Sequence, residues 1–248
     1  MRQDKKVYVV GTGPGAWEEM TIKAAETLKQ CDVIVGYTVY TELLKEKLPD
    51  KEYKSTPMRR EVDRCLMALE EADNGRKVAM VCSGDSGIYG MAGLMLELQP
   101  RFPEVEVEIV AGVTAALSGG ACLGAPMTHD SCIISLSDLL TPWETIEKRL
   151  LAAAQGDFVI VLYNPSSKKR KEYLKRACQL ILTKQKKETV CAIVRNIGRA
   201  EESQKLLTLE ELTEAETDMF STVFIGNSQT RIIGNKMVTP RGYRHEEQ

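Results

Sequence analysis

The chain has 248 residues, a formal net charge of -2, and 43% apolar against 27% charged residues. Such a composition suits a globular protein with room for one large domain or two moderate ones. It offers no global positive field to draw nucleic acid or an acidic membrane surface, and no apolar run of transmembrane length. The start, Met1 to Gly13, is too short and too quickly interrupted by glycines for a signal peptide. The 7 cysteines form no CxxC pair and sit mostly in apolar runs, which argues for reduced thiols in a cytoplasmic protein rather than a disulfide scaffold.

In chain order, the apolar run from Lys5 to Val10 predicts a strand, broken by Gly-Thr-Gly-Pro-Gly at 11–15. A helix is expected over 18–30, with Ile22, Ala25 and Leu28 on related faces and Glu18 and Glu19 at its positive end. Residues 32–36 read as a second strand, 37–47 as a helix stopped by Pro49, and 59–73 as a helix stopped at Asn74 and Gly75. Lys77 to Cys82 is a continuous apolar strand of the parallel-sheet kind. A helix at 90–98, a strand at 105–110 and a small-residue helix at 114–123 follow. This alternation predicts an α/β domain over 1–125, closed by Gly124, Ala125 and Pro126.

The second domain, 126–248, is expected to carry a strand at 132–135 and a helix at 142–154 with Thr141 as its cap and Pro142 at its first position. A strand at 158–163, a basic helix at 168–182 and a strand at 189–194 come next. Shorter antiparallel strands are expected at 204–208, 222–226 and 236–238, and the last residues, from Tyr243, read as a loose tail.

The Gly11–Gly15 loop follows a strand, as a dinucleotide loop would, but its spacing is GxGxG and Asp32 begins its strand instead of ending it. A nicotinamide or flavin site is disfavoured, and no Walker pattern exists. The run Ser83 to Gly90, SGDSGIYG, is richer. Gly84 and Gly87 permit a tight path, and Asp85 is either a ligand acceptor at a strand end or the anchor of an Asx turn. The stretch Ala111 to Asp130 opens a helix at Thr114 and ends on His129 and Asp130, which are either an acid–base pair or ordinary surface polar groups. The basic stretch from Lys168 to Lys187 reads as a solvated helix face or a dock for a polyanion. No metal-ligand spacing is present, so no metal site is expected.

In order along the chain, GTGPG, SGDSGIYG, GVTAA with GAPMTHD, LYNPSSKKR at 162–170, VRNIGR at 194–199 and IGNSQT at 225–230 resemble the tetrapyrrole methylases. These are S-adenosylmethionine-dependent enzymes acting on corrin and sirohaem precursors, and the resemblance spans about 5 to 240. It implies two α/β domains of the tetrapyrrole methylase type with the cofactor cleft between them. By matching position, S-adenosylmethionine and its product S-adenosylhomocysteine would be held by Gly84, Asp85, Gly87, Ile88, Thr114 and Ala115 from the first domain. Tyr163, Asn164, Asn196 and Asn227 would serve from the second.

The substrate implied is a carboxylate-rich tetrapyrrole facing Gly13, Pro14 and Gly15 and docking on Arg59, Lys168, Lys169, Arg170, Arg195 and Arg231. The later segments resemble the branch that methylates C17 and contracts the ring of precorrin-3B or its cobalt-containing counterpart. Ser86 stands where many relatives carry proline. Any cobalt would be ligated by the macrocycle, with Asp85 or the His129–Asp130 pair as candidate acid or base, and the family's usual state is a homodimer. The competing expectations are methylation of another ring carbon, a carrier that binds a tetrapyrrole without consuming the cofactor, and an RNA-directed methylase of the same fold. The missing positive field and aromatic platform weigh against the last.

Overall fold

The computed structural model describes residues 5–167 and 170–243. The chain divides into two compact units, Met1–Thr114 and Ala115–Gln248. The first contains β1 (Lys6–Gly11), α1 (Ile22–Gln30), β2 (Val33–Tyr37), α2 (Thr38–Lys45), β3 (Glu52–Thr56), α3 (Glu61–Asp73), β4 (Lys77–Cys82), α4 (Ala92–Leu98) and β5 (Glu106–Val110). Its sheet runs β3-β2-β4-β1-β5 with every pair parallel.

Alternate strand residues bury on opposite faces of this sheet. Val7, Val9, Val33, Val35 and Met80 pack with Cys65, Leu69 and Met95 of α3 and α4. Val10, Ile34, Ala79 and Val81 pack with Ala24, Leu28 and Leu44 of α1 and α2. Burial on both faces is why β2 and β4 read as unbroken apolar runs. Two local expectations change. The helix expected from 18 is a short 3-10 turn at Trp17–Glu19, and α1 starts at Ile22 because the Thr21 hydroxyl accepts from the Ala24 N–H at 3.1 Å. Strand β3 was not expected, since an edge strand spelled Glu-Tyr-Lys-Ser-Thr carries exposed polar side chains and no apolar run.

The second unit contains α5 (Ala115–Leu123), β6 (Gly124–Ala125), β7 (Ser131–Ser135), α6 (Trp143–Gln155), β8 (Val159–Tyr163), α7 (Tyr173–Leu182), β9 (Val190–Arg195), β10 (Ser203–Thr208), α8 (Leu209–Leu212), β11 (Ser221–Ile225), β12 (Arg231–Ile233) and β13 (Lys236–Val238). Its main sheet runs β10-β9-β11-β8-β7, with β7, β8 and β9 pointing one way and β10 and β11 the other. A small sheet joins β12, β13 and β6. One face of the main sheet packs Ile160, Leu162, Ile193 and Val223 against Ile146, Leu150, Leu174 and Ile181.

The other face holds α5. Ala116 and Leu123 pack on Val161, Ala192, Val194 and Phe224. At Gly119 an added Cβ would stand 2.9 Å from Ile197 Cδ1 and 3.0 Å from Phe224 Cζ, so only a bare residue lets the helix lie this close. Helix α5 therefore belongs to the second unit, and the break in contacts precedes it instead of falling at Gly124–Pro126. Pro142 occupies the N-cap position of α6, which leaves Thr141 outside that helix. The basic helix starts at Tyr173, not at 168. Lys168, Lys169 and the tail beyond Tyr243 lie outside the described residues.

Candidate functional site

In the first unit the carboxyl ends of β4, β1 and β5 lie side by side, where the strand order reverses and α/β proteins bind ligands. This edge is built from glycine. Gly13 and Gly84 exchange main-chain hydrogen bonds of 3.1 and 2.6 Å, at φ of 75° and 69° that side-chain-bearing residues avoid. A Cβ at Gly112, just past β5, would stand 2.2 Å from the Gly84 carbonyl oxygen and 2.6 Å from that of Gly11. Asp85 fastens the arrangement: its Oδ1 accepts from the Gly87 N–H at 2.8 Å and its Oδ2 from the Gly112 N–H at 2.9 Å. The first bond is the Asx turn, and the second ties the β4 loop to the β5 loop. Each carboxylate oxygen thus holds one main-chain donor, which makes Asp85 a lock for the loops.

Ser86 is buried and donates to the Val110 carbonyl at 3.3 Å. Gly87 is exposed, and a Cβ there would meet only the Asp85 carboxylate at 3.2 Å, so a ligand can approach bare backbone. Ile88 is half-buried beside it, while Thr114 and Pro14 are buried and Gly15 half-buried. Arg59 is exposed at φ 69° in the β3–α3 turn. Arg60 next to it pairs with Asp63.

One residue of this edge escaped the sequence reading. Arg64 is only 4% exposed, donates from Nε to Thr56 Oγ1 at 2.9 Å and from Nη2 to the Pro57 carbonyl at 3.1 Å, and lies 5.9 Å from the Tyr37 ring centroid. The signal was there, since Arg64, Ala68 and Ala72 share the buried stripe of α3 at helical spacing.

In the second unit, β7, β8 and β9 end on Ser135, Tyr163–Asn164 and Arg195–Asn196 at a common carboxyl edge. The Tyr163 hydroxyl accepts from the Ala116 N–H at 2.7 Å, so Tyr163 and the first turn of α5, including Ala115, are brought together. Asn164 and Asn196 both sit at φ 52°, a left-handed turn that asparagine tolerates. Asn164 Nδ2 donates to Ser135 Oγ at 2.9 Å. The Arg195 guanidinium bonds the Glu216 carbonyl. Arg170, read from the sequence as a substrate cation, is engaged by Asp138, with Nε to Oδ1 at 2.5 Å and the Tyr173 hydroxyl on Oδ2 at 2.6 Å. The Tyr173 hydrogen bond, then the Arg170 guanidinium, hold the Asp138 carboxyl below its usual range, and the same bond pushes the Tyr173 phenol up.

Three expected site groups lie elsewhere, for one reason: strand direction. Strand β11 runs against β8 and β9, pairing Ser221 with Arg195 and Ile225 with Cys191, so Asn227 emerges at the amino edge of the sheet. At about 3.3 Å per residue it is ~20 Å along the strand from Asn196. Its buried amide oxygen accepts from the Gln229 N–H at 3.0 Å and the Thr230 hydroxyl at 3.2 Å. His129 and Asp130 precede β7 and reach that same amino edge, where the Asp130 carbonyl accepts from the Val159 N–H at 3.0 Å. His129 Nδ1 accepts from the Asp130 N–H at 2.8 Å, and both residues are exposed. Arg231 opens the exposed strand β12 right after the Asn227 turn. The structure does not bring any of these to the carboxyl edge. Among the described residues no cluster of His, Cys, Asp and Glu is arranged for a metal ion, and no helix is long and apolar enough to cross a membrane.

An α/β unit with a glycine-built switch point, followed by a unit with a mixed sheet, is the fold of the tetrapyrrole methylases. Residues 6–213 match the tetrapyrrole (corrin/porphyrin) methylases, and the chain belongs to that family; it is an enzyme, a methyltransferase. Members of this family draw the methyl group from S-adenosylmethionine. Among relatives, the probable cobalt-factor III C(17)-methyltransferase of Salmonella typhimurium is 46% identical over 236 residues, covering 95% of this chain and 98% of that protein. The cobalt-factor III methyltransferase of Priestia megaterium is 41% identical over 246 residues, covering 97% of this chain but 46% of that longer protein, so this chain spans about half of it. The crystal structure of the methyltransferase CobJ superposes with a TM-score of 0.88 at 35% identity, covering 94% of this chain and 99% of that one.

Proposed function

We propose that this enzyme methylates C17 of a corrin precursor with S-adenosylmethionine and contracts the macrocycle, taking cobalt-factor III in preference to metal-free precorrin-3B. The observation that carries the reading is the near end-to-end match to the Salmonella relative named for that reaction. The bare backbone at Gly87, on a loop already locked by Asp85, fits a cofactor gripped by main-chain groups. When bound, S-adenosylmethionine supplies a methyl group already activated on a sulfonium, so alignment of the accepting carbon is the main demand on the protein.

In this reading Gly84 to Ile88 and Thr114 of the first unit hold the cofactor. Asp85 keeps the β4 and β5 loops in register through its two main-chain bonds. Tyr163 fixes the start of α5 through the Ala116 N–H. Gly13, Pro14, Gly15 and Arg59 face the carboxylate-rich substrate. The working state is a homodimer.

The test is anaerobic incubation with methyl-labelled S-adenosylmethionine and, in parallel, cobalt-factor III and precorrin-3B, reading label and product mass. Labelled, ring-contracted product from the cobalt form is expected. Turnover of precorrin-3B alone would reassign the substrate to the metal-free route. Transfer to neither, or a methyl on another carbon, would refute the proposal.

A further inference from the structure

Arg64 is a buried cation without an acid. Its side chain is almost wholly covered, yet no carboxylate among the described residues forms an ion pair with it. The nearby acids are occupied: Asp63 pairs with Arg60, and Glu61 accepts from the Arg59 N–H at 3.1 Å. Its hydrogen-bond acceptors are one hydroxyl and one carbonyl, Thr56 Oγ1 and Pro57 O, and both are neutral. A guanidinium carries five N–H donors in a planar fork, so part of that fork is left for a further acceptor. Buried charges are normally paired, because removing them from water is expensive otherwise.

The location gives the vacancy a use. Thr56 ends β3, Tyr37 ends β2 and Cys82 ends β4, so Arg64 lies under the carboxyl edge on which the Ser83–Ile88 loop stands. Burial raises the pKa of the Cys82 thiol, and the Arg64 charge partly opposes that rise. Arg64 also lies in the first turns of the 13-residue helix α3, whose N-terminal dipole favours an anion.

We propose that Arg64 is an anchor for a carboxylate of the macrocyclic substrate. The inference rests on the reading that the substrate is a polycarboxylate corrin precursor, and it deepens that reading by naming a subsite. The guanidinium is pre-oriented by Thr56 and Pro57, so it offers a planar fork at little further entropic loss, the arrangement that suits bidentate carboxylate binding. Arg59, exposed in the adjoining turn, extends the positive rim.

The experiment uses the full chain and two variants, Arg64→Gln and Arg64→Lys. Initial rates give KM for cobalt-factor III and kcat, calorimetry gives the Kd for S-adenosylhomocysteine, and a thermal melt reports folding. A charge-assisted hydrogen bond contributes about 1.5–3 kcal/mol, so KM in Arg64→Gln is expected to rise roughly 10- to 150-fold. The Kd for S-adenosylhomocysteine should not move. Arg64→Lys keeps the charge but loses the fork, and its KM is expected to lie between the two. Unchanged KM in a folded variant of either kind overturns the anchor and leaves Arg64 as a brace for the Thr56 turn. Should Arg64→Gln fail to fold, Arg64→Lys decides on the same terms.

A second probe separates this inference from the reaction it rests on. Quenching of protein fluorescence by uroporphyrin III needs no turnover. Loss of affinity for uroporphyrin III in the variants supports the anchor even if wild-type enzyme methylates neither corrin precursor. Equal affinity in wild type and variants overturns it.

Discussion

Gly112 offers the sharpest test of how the carboxyl edge of the first unit is built. Replacing it with alanine puts a Cβ 2.2 Å from the Gly84 carbonyl oxygen and 2.6 Å from the carbonyl carbon and oxygen of Gly11. Carbon–oxygen contacts normally run about 3.3–3.6 Å, so one of the three loops must move by roughly 1 Å. None of the obstructing atoms belongs to a side chain that could turn away. Overpacking of this kind costs about 3 kcal/mol at the upper end of its usual range. In a chain of this size that lowers the unfolding midpoint by roughly 6–12 °C. The same shift pulls the Gly112 N–H off Asp85 and releases the Ser83–Ile88 loop. A misplacement of about 1 Å near the reacting groups can cost ~100-fold, so kcat/KM should fall by that order.

Gly93 is the control. It is exposed on α4, a Cβ there meets nothing within 4 Å, and Gly93→Ala should raise the midpoint by about 2–4 °C through helix propensity alone. Thermal melts followed by circular dichroism, with kcat/KM for cobalt-factor III, read both outcomes. A Gly112→Ala enzyme that melts and turns over like wild type would refute the argument that glycine is demanded by close backbone approach.

His129→Ala is expected to transfer and contract at the wild-type rate, because His129 stands at the amino edge of its sheet; a large fall in single-turnover rate would contradict that placement. Asp138→Asn tests the tie between Arg170 and Tyr173. A carboxyl whose folded pKa is depressed contributes stability above its unfolded pKa, about 3.9, and loses it as pH falls through the lower folded value. Urea midpoints of wild type and Asp138→Asn should therefore differ between pH 6 and 8, and the gap should start to shrink below about pH 4 and close as pH falls through the lower folded value; a gap that stays constant down that whole range would count against the reading. A thiol reagent at pH 8 should label Cys122 first. Burial pushes the buried Cys31, Cys65 and Cys178 up to about 12 and Cys82 up to about 11, so these should react only on unfolding. Fast labelling of any of them in native protein, located by peptide mass, would speak against that burial.

Most of the first unit is legible from local pattern. Lys77 to Cys82 reads as a parallel strand because both of its faces are buried, and Gly84 and Gly87 read as positions of a tight path before any neighbour is known. Strand β3 is not legible, because an edge strand with exposed charges has the composition of a turn. Asp85 illustrates a half-legible residue. Its Asx turn to Gly87 is two residues long and visible in the sequence, whereas its bond to Gly112 exists only once β1 brings the β4 and β5 loops together.

The family and the α/β class are legible from the sequence alone, since each rests on short segments read in chain order. Which of the candidate side chains share an edge is a tertiary decision. Asn164, Asn196 and Asn227 look equivalent along the chain, each one following an apolar strand. The antiparallel pairing of β11 with β8 and β9 carries Asn227 to the far end of the sheet, and the parallel start of β7 leaves His129 there too. Strand direction depends on which partner buries which face, and that information is distributed over the whole core. The same holds for Arg64, a helix cation whose burial without an acid appears only when β2, β3 and α3 close around it.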